Sequence, residues 1–219
     1  MGEHKDWVAW HEPYNRPGSS LHRRLVLVQR RVREALTVAP PGLIRVISIC
    51  AGQGRDLVGA LRDHSRRGDV EARLLELDEG NVAYASESVR SAGLHRVEIV
   101  QGDASITTAY EGLVPADLVL VCGVFGNVSD ADIRTTIEEL PKLCRSGATV
   151  IWTRHREPPD MTPTIRSWFE GAGFGEVGFD SEEGFRFGIG THRFLGTPRP
   201  FQRDVRLFDF IGDGAQANT

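Results

Sequence analysis

The chain has 219 residues, 40% hydrophobic and 26% charged, with 26 Lys+Arg against 30 Asp+Glu and a formal net charge of -4. A chain of that length buries roughly 70–75% of its extended surface as one domain with decorations, so it needs no disulfide or metal staple. The composition excludes a disordered chain and lacks the basic excess of a dedicated nucleic-acid binder.

Residues 1–18 are polar, with Trp7, Trp10 and Tyr14 interspersed, and Pro13 and Pro17 prevent a long helix there. This is an arm that can pack through its aromatics. Ser19 or Ser20 is an N-cap. Leu21, Leu25, Val28, Val32 and Ala35/Leu36 follow at helical spacing. The other face carries Arg23, Arg24, Arg30, Arg31 and Arg33, read as solvated, and Pro40-Pro41-Gly42 ends the helix.

From Leu43 the pattern alternates. Arg45–Cys50 predicts a first strand, followed by a glycine turn and a helix from Arg55 to His64. Ala72–Leu77 is a second strand, Asn81–Ala92 a helix, His95–Val100 a third strand and Ala116–Cys122 a fourth. The fourth is nearly all apolar, as the centre of a parallel sheet requires. Ser129 or Asp130 caps a helix that Pro141 limits, and Ala148–Thr153 is a fifth strand. A helix runs from Thr162/Pro163 to Gly171. Glu176–Phe179 and Phe185–Phe194 read as two antiparallel edge strands, and the end from Gly212 as frayed. Strands alternating with helices imply right-handed βαβ units and a doubly wound α/β sheet.

Cys50, Cys122 and Cys144 form no CxxC pair, which excludes a disulfide framework and a four-cysteine zinc site. No metal-ligand motif is present, so no metal is expected. The N-terminus MGEHKDW has no apolar h-region, and the longest apolar run, Leu118–Gly126, is nine residues. A cytoplasmic location is expected, with neither a membrane nor nucleic acid as partner.

Ligands of such sheets bind at the carboxyl ends of the strands. Each of the first three predicted strands ends on a group that suits a nucleoside. After the first comes Cys50-Ala-Gly-Gln-Gly54, where Gly52 and Gly54 let backbone approach a ligand. Leu57 stands where a dinucleotide fingerprint needs its third glycine, which weakens a pyrophosphate reading. After the second comes Glu76, 22 residues beyond Gly54 and placed to accept from both ribose hydroxyls. After the third comes Gly102-Asp103-Ala104, where Asp103 can accept from an exocyclic amine.

This ordered set resembles the class I, Rossmann-like S-adenosylmethionine (SAM) dependent methyltransferases over residues 43–195. The matching strings are Val46–Gly54, Leu74–Asp78, Gln101–Ala104, Asp117–Asn127 and Ala172-Gly-Phe174. The CAG-x-GRD and GVFGN strings are similar to those of uncharacterised bacterial members. The resemblance implies a sheet of order 3-2-1-4-5-7-6 with strand 7 antiparallel, and SAM as cofactor. It implies that Cys50, Gly52, Gln53 and Gly54 face the cofactor, Glu76 its ribose with Leu77 beside it, and Asp103 and Ala104 its adenine. Cys122 and Gly123 fall near its methionine end. Ser48 stands where the family usually has an acid and Cys50 where it has a glycine. Asp56 or the carbonyl of Cys122 is left to meet the ammonium.

On the acceptor side, Phe125 is expected to wall the pocket and Asn127 to orient a polar acceptor, unless Asn127 is a turn residue. His155 is the candidate general base because imidazole titrates near neutrality, the alternative being a structural histidine. Arg154 is a candidate for an acidic substrate. His11 and Tyr14 belong to an arm that closes over the mouth as a lid, with Arg24 behind them. The division expected is therefore an arm and helix over 1–42, a SAM-binding domain over 43–195 and an extension over 196–219.

The reading is transfer of a methyl group to an O, N or C nucleophile of a small molecule. Three alternatives stay open: a non-catalytic SAM-fold module, an RNA methyltransferase and an NAD-dependent oxidoreductase. The stretch Phe201–Phe210 covers either its own sheet or that of a partner copy in a homodimer.

Overall fold

Period-two alternation along the strands feeds two cores, one on each face of a single sheet. The computed structural model describes residues 11–181 and 184–211. Trp7, Trp10 and the end from Gly212 lie outside the described residues. The strands are β1 (Ile44–Ser48), β2 (Val70–Glu76), β3 (Val97–Gln101), β4 (Ala116–Val121), β5 (Cys144–His155), β6 (Phe174–Asp180) and β7 (Phe187–Phe194). Their order is β3-β2-β1-β4-β5-β7-β6, parallel except for β7, which runs antiparallel to both neighbours. The expected order therefore holds. One detail of the residue-level reading changes: of the two strands expected at an edge, only β6 is one. β7 lies between β5 and β6 and is buried along nearly its whole length, so it needs apolar or small residues on both faces.

On one face, Val46, Leu74, Leu118, Leu120 and Ile151 pack with the helices α1 (Ser20–Val38) and α2 (Arg55–Leu61). The helix α3 (Glu79–Ser91) lies on the same side. On the other face, Ile47, Val119, Val121, Val150 and Trp152 meet α4 (Asp130–Leu143) and α5 (Thr162–Gly171). Leu207 and Phe208 join this second core, so the C-terminal stretch covers its own sheet.

Ser19 caps α1 through a bond accepted from the His22 amide at 3.1 Å, and Leu25, Val28, Val32 and Leu36 form its buried stripe. The arginine face is not simply solvated. Arg30 and Arg31 both donate to Asp180 at the end of β6, Arg33 to the Gly59 carbonyl, and Arg23 lies 4.4 Å from the Phe185 ring centroid. These residues fasten α1 across the sheet. Pro141 lies inside α4, which continues only two residues further, to Leu143, and its ring removes the bond an amide there would give to the Ile137 carbonyl. The three cysteines are free. No helix among the described residues is long and apolar enough to cross a membrane.

Candidate functional site

A cleft of about 520 Å³ lies at the carboxyl ends of β1, β2, β3 and β4. Its floor starts at the turn after β1. Gly52 and Gly54 have φ of +55° and +67°, which glycine adopts freely. Cys50 also sits in the left-handed region, at φ +52°, where a side chain is strained. The Gly52 amide donates to Glu76 Oε2 at 2.7 Å, and the Asp78 amide to Glu76 Oε1 at 3.0 Å. The acid at the end of β2 thus fixes the glycine turn and keeps spare lone pairs on both oxygens.

Asp103, after β3, accepts from the Ser105 amide and hydroxyl at 2.8 and 2.6 Å through one oxygen. Its other oxygen lies 3.8 Å from Arg206. The carbonyl of Ala104 accepts from the buried Tyr110 hydroxyl. Leu77 also lines the cleft and is 70% exposed, an apolar surface left open to a ligand.

The N-terminal arm reaches the other end. His11 and Tyr14 are buried and both line the cleft. A Cβ on Gly52 would come within 2.4 Å of His11 Nε2, so the arm rests directly on the glycine turn. Arg24 donates to the Tyr14 hydroxyl, while Arg55 donates to Gln53 and to Asn15 of the arm at 2.7 and 2.9 Å. Arg24, Asp56 and Cys122 line the same end. Burial pushes Tyr14 up to about 12 against the pull of Arg24. Burial also raises Asp56, with Arg24 and a hydrogen bond to the Cys122 thiol opposing it, and raises the Cys50 and Cys122 thiols.

Of the residues expected here, Cys50, Gln53, Glu76, Leu77, Asp103, Ala104, Cys122, Gly123, His11 and Tyr14 line the cleft. Gly52 and Gly54 are buried beneath it and shape the turn. Four others lie elsewhere. Phe125 is fully buried, 6.1 Å from Trp152 between ring centroids, because the loop after β4 turns into the core. Asn127 donates to the Gly123 carbonyl at 2.7 Å and so ties that loop together. Arg154 donates to the Phe125 carbonyl and lies 3.9 Å from Asp130. His155 is outside the cleft lining, and burial together with the Arg154 charge lowers its pKa. In the structure Phe125, Asn127, Arg154 and His155 gather around residues 123–127 and not along the cleft lining.

Asn81 and Phe210 line the cleft without having been expected there. Asn81 carries no motif beyond lying three residues after the helix-capping Asp78, which accepts from its amide at 2.9 Å. Phe210 arrives through a tertiary path. The C-terminal segment bonds to Ser105 and then to Asn127, through the Leu207 and Ile211 amides at 2.8 and 2.9 Å. Only its clustered aromatics hinted at this.

Among curated proteins no sequence matches the chain. Solved structures share the fold at low identity. An O-methyltransferase family protein from Burkholderia thailandensis is 17% identical with a TM-score of 0.66, over 85% of this chain and 59% of that one. This chain therefore spans about three fifths of that protein's length. An RNA methyltransferase from Salinibacter ruber, solved with S-adenosyl-L-homocysteine, is 18% identical with a TM-score of 0.53, over 81% and 96% of the two chains. A precorrin-6y C5,15-methyltransferase from Geobacter metallireducens is 15% identical with a TM-score of 0.53, over 75% and 86%. Their names span oxygen, RNA and carbon chemistry, so the fold does not fix the acceptor. The family model described as "Putative methyltransferase" matches residues 21–167, from α1 through most of α5. That match takes in the helix of the arginine face as well as the cleft-forming strands, and the chain belongs to this methyltransferase family.

Proposed function

We propose that the chain is a SAM-dependent methyltransferase acting on an O, N or C nucleophile of a small molecule. One observation carries the reading: the glycine turn, Glu76 and Asp103 converge, in strand order, on one cleft. The donor set fits an adenosyl amino acid. Acceptors at Glu76 and Asp103 suit hydroxyls and an amine, Leu77 offers an apolar face to a base, and Arg24 and Asp56 supply opposite charges at the far end. When bound, SAM supplies an activated methyl group on a cationic sulfonium.

The chain's own residues then bind, orient and exclude water. The turn fixed by Glu76 sets the position of the nucleoside relative to β4. His11 and Tyr14 narrow the mouth, which lowers water access and fixes the acceptor's approach. With its pKa near 12, Tyr14 keeps its proton at neutral pH and acts as a hydrogen-bonding group. A small acceptor fits a cleft of this volume whose mouth the arm occupies. The paired arginines of α1 further favour it over a nucleic acid.

Titration calorimetry with SAM and S-adenosylhomocysteine tests the cofactor. Micromolar binding of both is expected, and binding of neither overturns the reading. Labelled-methyl turnover with separated small-molecule and RNA fractions of a lysate tests the acceptor. Label in the small-molecule fraction is expected, and label confined to RNA overturns that part.

A further inference from the structure

Arg55, the first residue of α2, lines the cleft where the turn after β1, the N-terminal arm and α3 meet. Its Nε donates to Gln53 Oε1 at 2.7 Å and its Nη1 to Asn15 Oδ1 at 2.9 Å. Its guanidinium carbon lies 4.9 Å from the Tyr84 ring centroid and 5.7 Å from that of Tyr14. The main chain beneath is fixed by α1, since Gln29 Nε2 donates to the Arg55 carbonyl at 2.9 Å. Neutral groups thus hold a charge that arginine cannot lose in a protein. Among the described residues no carboxylate pairs with it. The cleft acids Glu76, Asp78, Glu79 and Asp103 belong to the ends of β2 and β3, and Asp56 bonds to the Cys122 thiol.

We propose that Arg55 binds an anionic group, a carboxylate or a phosphate, of the methyl acceptor. This rests on the small-molecule reading above and names the class of its substrate. Guanidinium has five N–H donors, and the bonds to Gln53 and Asn15 take two and leave three. That is enough for the paired bonds by which arginine recognises carboxylate and phosphate. The flanking tyrosine rings and the two bonds set the fork in advance, which lowers the ordering cost of binding. Arg154, the cation expected to meet an acidic substrate, lies outside the cleft lining, whereas Arg55 is within it. Its bond to Asn15 ties it to the arm, so an anion held there sits at the mouth by which the acceptor enters.

The test uses the full chain, methyl-labelled SAM and the small-molecule fraction of a lysate, split beforehand on an anion exchanger at neutral pH. Label should enter mainly the retained, anionic half. Phosphatase treatment of that half before the reaction separates the two sources: loss of labelling identifies a phosphate, and its survival a carboxylate. Arg55→Gln should lower labelling of the retained half by about 10–100-fold at subsaturating acceptor, and Arg55→Lys should recover part of it. Calorimetry should find the affinity of Arg55→Gln for S-adenosylhomocysteine close to wild type. Asn15→Ala removes the bond to the arm and keeps the cation, so it should label nearly as wild type does. Equal losses in Asn15→Ala and Arg55→Gln overturn the assignment, since Arg55 then acts only by holding the arm. A loss of S-adenosylhomocysteine affinity that matches the loss of labelling also overturns it, by placing Arg55 at the cofactor. Label mainly in the unretained half overturns the assignment and leaves the small-molecule reading standing, whereas label in neither half sinks that reading itself.

Discussion

The turns after β1 and β4 leave adjacent strands, and each carries two glycines within five residues, yet they do opposite work. The β1 turn, Cys50–Gly54, faces the cleft and has its backbone held by Glu76. The β4 turn, Gly123–Asn127, opens on the cleft only at Gly123 and then drives Val124 and Phe125 into the core, both 0% exposed. The difference lies in what occupies the positions between the glycines. Gln53, the one residue between Gly52 and Gly54, is polar and stays at the cleft. Val-Phe gains more by burial than by lining a wet pocket.

Phe125→Ala breaks the comparison most strongly. It should cost about 3–5 kcal/mol in denaturant unfolding, while the affinity for S-adenosylhomocysteine of the protein that remains folded stays close to wild type. A large specific loss of affinity at full stability would return Phe125 to the site. Behind Phe125 stand Trp152 and the buried His192, whose pKa burial lowers to about 4 against the opposing pull of Glu176, with the Arg166 charge adding to the decrease. The neutral form is favoured in the fold, so its contribution is intact above the unfolded value near 6.5 and is lost as pH falls towards 4. Unfolding curves should show a stability loss of roughly 3 kcal/mol over that window, and His192→Phe should flatten it.

On the other turn the effects fall on binding. Glu76→Gln should weaken S-adenosylhomocysteine by about 1.5–3 kcal/mol, read by calorimetry, and should loosen the Gly52 amide in hydrogen exchange. Gly52→Ala adds a side chain at φ +55° against His11, a strain of about 1–2 kcal/mol. It should displace the arm, seen as faster exchange of the Tyr14 amide, which bonds to the His11 carbonyl. Cys50→Gly is the smallest change. Relief of its left-handed backbone should raise stability by up to about 1 kcal/mol.

The sheet was legible because its signals are local. Apolar runs, caps at Ser19 and Ser129 and the spacing from Gly54 to Glu76 all survive in the structure. The cleft lining at the ends of β1, β2 and β3 was legible for the same reason, since each group stands at a strand end. The surroundings of the loop after β4 were not. Asn127, Arg154 and His155 hold residue types that serve equally as ligand groups and as braces, and only packing decides between them. Arg24 stood both in an arginine face read as solvated and behind the expected lid, and a helical wheel alone does not decide between the two. Phe210 lies more than 80 residues from the loop it joins. No spacing rule connects such partners.

His11 and Phe210 both line the cleft, so the N-terminal arm and the C-terminal segment border one cavity. A ligand held there touches both segments and ties one to the other. Occupancy of the cleft should therefore slow hydrogen exchange at the Tyr14 and Ile211 amides together, although 197 residues separate them in the chain.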